Sequence, residues 1–178
     1  MSIVTLVLGN YIMVAELLGL WFMLDSNVHL PKRTINLTRV VIILIFSEAV
    51  CWAVERYLRE IDYLTVTRII LTPTIYLLHP IIMLLVMEMA EFIQKNRILY
   101  YLPVIISAPL LYTSQWTHLF YWFDDENLYI GADGILRYYP YILFMCYVLF
   151  FVGALAFRYY GTVRQKEKAC LSVSLPLP

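Results

Sequence analysis

Residues 69–92 read IILTPTIYLLHPIIMLLVMEMAEF, and the fold turns on the solvent assigned to them. In water, Pro73 and Pro80 would break the helix that the apolar pattern demands. In lipid the same stretch is long enough to cross as a helix, which takes about 20 mostly apolar residues. Prolines are tolerated there because neighbouring groups satisfy the carbonyls they free. The rest of the chain decides for lipid. Of 178 residues, 62% are apolar and 15% charged, with a formal net charge of zero. A soluble domain is about half apolar and about a quarter charged.

Working outward, four further stretches have the same character: Ile3 to Leu24, Val40 to Leu58, a shorter one from Ile98 that holds Pro103 and Pro109, and one from Tyr141. The expected fold is all-α, an integral membrane bundle of five transmembrane helices over residues 1–164. Residues 165–178 read as a cytoplasmic tail, disordered or truncated. The opening residues lack a basic n-region and a small-residue cleavage site, so they read as a retained helix. Lys32, Arg33, Arg39, Lys95, Arg97, Arg158, Arg164, Lys166 and Lys168 fall on one side, and Arg56, Arg59, Arg68 and Arg137 on the other. The basic excess marks the cytoplasm, which puts the N-terminus outside and the C-terminus inside. The expected location is the plasma membrane, as a multi-pass protein.

That orientation leaves the connection between the fourth and fifth helices outside the cell. It holds Trp116, His118, Tyr121, Trp122, Asp124, Asp125, Glu126, Tyr138 and Tyr139. Within it, LYI-GADG-ILR (128–137) reads as a short hairpin turning on its glycines. Rings beside carboxylates suit a cation or a small amphiphile. Trp116, His118, Trp122, Asp124, Asp125 and Tyr138 are the ligand-binding candidates. The competing reading is an interfacial aromatic belt with a solvated acidic tip.

Ionisable groups at membrane depth usually face the bundle interior. Glu16, Glu48 and His79 fall near one level, and Glu55 lies two turns from Glu48 on the same face. They form a candidate intramembrane polar centre, either proton-sensitive or simply interhelical glue. Glu88 and Glu91 read as acids snorkelling to the interface beside Lys95. Cys51, Cys146 and Cys170 have no metal spacing, and two lie in apolar runs. No phosphate loop, HExxH, GxSxG or CxxC is present, so neither catalysis nor a cofactor nor a metal is expected. No helix contains a lysine for a retinal Schiff base, and nothing basic enough recruits nucleic acid. The sequon at Asn36 falls on the cytoplasmic side and is discounted.

Three phrases carry a family resemblance: LDSNVHLPKRT (24–34), LTPTIYLLHPIIMLLVMEMAEF (71–92) and YTSQWTHLFYWFD with DGILRYYPY (112–124 and 133–141). Together they resemble the seven-helix N-terminal sensory region that precedes bacterial histidine kinases and GGDEF-type diguanylate cyclases. The resemblance spans about Asn10 to Arg164. It implies a sensing face that includes Trp116, His118, Trp122, Tyr138 and Tyr139, and it would continue into two further helices and an output domain. The expected function is therefore a sensory input module lacking its output domain, with the bilayer, a small extracytoplasmic ligand and other copies of the chain as partners. The alternatives are a small proton-coupled carrier built on Glu16, Glu48 and His79, and a structural subunit or gene fragment.

Overall fold

The computed structural model describes residues 3–26, 30–60, 65–93 and 97–173, with side chains over 13–24, 26, 30–60, 65–93 and 97–161. The chain is mostly helical. Helices α1 (Ile3–Ser26), α2 (Lys32–Arg59), α3 (Val66–Met89) and α4 (Arg97–Tyr112) come first. Then follow the single turn α5 (Ser114–Thr117), strands β1 (Tyr121–Phe123) and β2 (Tyr129–Gly131), a 3₁₀ turn (Gly134–Tyr138) and α6 (Tyr139–Val173). Among the described residues, three helical stretches are long and apolar enough to cross a membrane: Lys32–Arg59, Val66–Met89 and Gly134–Gly161. Met13–Leu24 and Arg97–Tyr112 are apolar but shorter. Residues 165–173 continue α6, and 174–178 lie outside the described residues.

Helix α2 begins eight residues before the apolar run, because Pro31 stops the preceding chain and its carbonyl accepts from Ile35 N at 3.1 Å. Thr65 starts α3 by accepting from Arg68 N at 3.3 Å. Around the prolines, hydroxyls turn inward onto the backbone: Thr74 to Ile70 O at 2.7 Å, Ser107 to Pro103 O at 2.6 Å, Thr113 to Pro109 O at 2.8 Å. Such back-bonding hides polar groups from an apolar solvent.

Helix α3 is the centre of the bundle, packed against α2, α4 and α6. Leu77, Leu84, Met87, Val104 and Tyr147 form its apolar core. Away from that core, large side chains face outward, among them Phe157 at 84% and Met23 at 72% exposure. In water that much apolar surface would drive association. It suits hydrocarbon.

The hairpin differs from the expected one. Strand β1 pairs with β2 antiparallel, with Trp122 opposite Ile130, and the turn is Asp124–Leu128. Side chains alternate across a strand, so Tyr121 and Phe123 point to the bundle and are buried, while Trp122 faces away. Burying two aromatics outweighs the glycine turn signal of GADG, which instead leads through Gly134, at φ 70°, into the 3₁₀ turn. Two short strands are marginal alone. Here Gln115 brackets Phe123, accepting from its N at 2.8 Å and donating to its O at 2.9 Å, and Ser114 accepts from Tyr121 N at 3.0 Å. The turn α5 thus closes the free edge of β1.

Candidate functional site

The end of α2, the start of α3, the hairpin and the start of α6 enclose an open cleft of about 590 Å³. That volume lies in the range of small-molecule sites, roughly 300–1,000 Å³. Arg68 forms its floor. It is 1% exposed, although arginine is rarely buried without partners. Its Nη1 donates to the Asn127 backbone oxygen and, at 2.7 Å, to Asn127 Oδ1. Its Nη2 donates to Glu55 Oε1 at 3.3 Å, and its guanidinium sits 4.4 Å from the centre of the Phe123 ring.

Glu55 is shared. Its second oxygen accepts from Arg59 at 2.9 Å, one helical turn on. Asn127 completes the knot by donating to Leu58 O at 2.9 Å. It holds φ 64°, a left-handed conformation that asparagine tolerates better than most residues. The turn itself is tied by Asp124, whose Oδ1 accepts from Leu128 N at 2.8 Å. One buried cation therefore binds α2, α3 and the hairpin together. Above it, Tyr129 stacks on Tyr121 at 5.5 Å, and burial raises both phenols above their ordinary pKa, so both stay neutral.

The ligand-binding candidates do not gather in this cleft. Of the six, Tyr138 lines it, with Arg137 over its ring at 4.5 Å. The rings of His118 and Trp122 meet at a tilt, 4.6 Å apart, on the other face of the hairpin, with Trp116 exposed nearby in sequence on α5. Asp124 is occupied in the turn, and Asp125 is exposed at its tip. The residues that build the cleft floor, Arg68, Thr72 and Asn127, were not among the candidates. A lone arginine in the apolar opening of a span, TVTRIIL, was the available signal, since such a charge needs a partner.

The polar centre comes apart into three. His79 Nε2 lies 3.1 Å from Glu48 Oε1, and its Nδ1 lies 2.8 Å from Ile75 O. A carbonyl can only accept, so Nδ1 is the donor of the bond to Ile75. Glu55 belongs to the cleft instead, and Glu16 is exposed on α1. At the far end of α3, Glu88 is buried rather than snorkelling. It accepts from Arg33 at 2.6 Å, Arg97 at 3.1 Å and the Tyr101 hydroxyl at 3.3 Å. The Lys95 expected beside it lies outside the described residues. Among the described residues no group of acids, histidines and cysteines could hold a metal ion.

Compared with known protein families, with curated proteins and with solved structures, the chain finds no match.

Proposed function

We propose that this chain is a membrane-embedded sensory module, crossing the plasma membrane five times with the hairpin outside and the end of α6 in the cytoplasm. The observation that carries the reading is the Arg68 knot, in which one buried guanidinium joins the hairpin to two helices. A molecule entering the cleft meets that knot, and the hairpin leads through the 3₁₀ turn into α6. Occupancy that favours one hairpin position over another thereby biases where α6 sits on α3. The resemblance to kinase and cyclase input regions supports the same reading, as does the basic residue distribution.

The coupling is testable at the opposite end of the molecule, where Phe92 and Phe151 meet edge to face at 5.7 Å. With the native cysteines replaced by serine, a Phe92→Cys, Phe151→Cys pair should crosslink. Adding Arg68→Gln should change that yield in a chain that still inserts. An unchanged yield rejects the coupling.

A second reading, a proton-coupled carrier, has its own observation in the Glu48–His79 pair, which sets a carboxyl beside an imidazole within the helices. Glu48→Gln should then abolish pH-driven solute flux in proteoliposomes. Equal flux in wild type and variant rejects that reading.

A further inference from the structure

At the end of α3 away from the hairpin, two guanidiniums share one carboxylate. Arg33 Nη2 and Arg97 Nη1 both reach Glu88 Oε1, at 2.6 and 3.1 Å, while the Tyr101 hydroxyl donates to Oε2 at 3.3 Å. Two nitrogens held to one oxygen are neighbours, so the first turns of α2 and α4 bring their arginines side by side. Among the described residues neither arginine pairs with a second acid, and one positive charge is left over. Lys32, exposed beside Arg33 in sequence, adds to the excess.

The unused donors of this pair can be reached. The Glu88 side chain is 9% exposed, but those of Arg33 and Arg97 are 58% and 50% exposed. A guanidinium carries five N–H donors, and each arginine turns one nitrogen to Glu88. The buried carboxylate thus fixes the pair from below and leaves about half of each side chain open. What covers it follows from α4. Ile98, Leu102 and Ile105 recur at helical spacing on one face, and all three are exposed, Ile98 at 77%. In a membrane that face lies against acyl chains, and it begins one residue from Arg97.

We infer that Arg33 and Arg97 bind the phosphodiester of an anionic phospholipid, whose acyl chains lie along Ile98, Leu102 and Ile105. This rests on the membrane crossing proposed above, not on sensing, and adds a lipid partner at the end which that reading assigns to the cytoplasm. Arginine suits phosphate because its planar fork offers paired donors, and charge-assisted bonds of this kind are the strong ones. Basic pockets between helices on the cytoplasmic side hold anionic headgroups in the same way. A choline headgroup brings its own cation, which the spare positive charge repels. A glycerol headgroup brings none.

The test is native mass spectrometry of the full chain in detergent, with equal amounts of phosphatidylglycerol and phosphatidylcholine of the same acyl chains. The form carrying one phosphatidylglycerol should dominate. Arg97→Gln should lower its yield about fivefold, the worth of one basic residue at an anionic headgroup, and leave phosphatidylcholine unchanged. Glu88→Gln should raise the yield instead, because it removes the opposing charge. An arginine pair that serves only to neutralise Glu88 would lose its anchor in that variant and bind no better. Excess glycerol phosphate should not displace the lipid, since it lacks the chains. The inference is overturned if the two lipids bind equally, if Arg97→Gln keeps the preference, or if Glu88→Gln does not strengthen it. Displacement by glycerol phosphate also overturns it, and makes the ligand an aqueous phosphate. Failure of the membrane reading looks different: alkaline carbonate would strip the chain from vesicles, and the site would fall with it. A chain that resists carbonate yet ignores the headgroup removes the site alone.

Discussion

Glu55 is held by two arginines of opposite circumstance: Arg59, with a side chain 61% exposed, and Arg68, with one 2% exposed. Only the second bond is made away from solvent, and the two partners do not depend on it equally. Without Arg68, Glu55 keeps Arg59. Without Glu55, Arg68 keeps only the oxygens of Asn127 and the Phe123 ring. Glu55→Leu should therefore destabilise by about 3–5 kcal/mol, the cost of stranding a buried charge, and Arg68→Met by less. The double variant should recover most of the loss, since an apolar replacement of a buried pair is often neutral. Thermal unfolding in detergent micelles measures all three. A double variant as unstable as the sum of the singles would mean that the two residues do not act on each other. The sequence pointed to Glu55 through its spacing from Glu48, but not to its partner. Arg68 lies thirteen positions on, beyond the α2–α3 connection, and only the packing of α3 on α2 brings the two together.

At the scale of elements, the hairpin separates burial from display. Tyr121 and Phe123 face the bundle, with Tyr121 also in edge contact with Tyr76 at 5.7 Å, while Trp122 faces outward beside His118. Tyr121→Ala should cost about 3–5 kcal/mol, as for other large aromatics cut from a core, and Trp122→Ala less than about 1 kcal/mol. Limited proteolysis at the Asp124–Leu128 turn should follow the same order, with cleavage accelerated only in the first variant. Equal sensitivity of the two would contradict the strand register. The apolar helices were legible because their signal is additive over many residues. The strand pairing was not, because the glycines of GADG advertise a turn, whereas the real turn is made by Asp124 and Asn127, in a run that read as a solvated acidic tip. The mid-helix polar residues were half legible: depth brought Glu48 and His79 to one level, but Glu16 faces outward and Glu55 turns to the cleft.

For the whole molecule, the proposed orientation makes a direct prediction. In a cysteine-free background, Asp125→Cys should react with a membrane-impermeant maleimide added to intact cells, and labelling only after lysis would reverse the bundle. Length and composition mark three helical stretches as capable of crossing, while the remaining apolar segments depend on where the boundaries of the bilayer fall. The two clamps on α3 bear on that. Arg68, with Glu55 and Asn127, fixes one end, and Glu88, with Arg33 and Arg97, fixes the other. They stand 20 residues apart, about 30 Å along a helix, which is the thickness of a typical hydrocarbon slab. Ion pairs cannot slide into oil to accommodate a thicker film, nor α3 shorten for a thinner one. The protein thus carries a rigid gauge, and it should reside most comfortably where acyl chains match that separation, with mismatched lipids bearing the strain themselves.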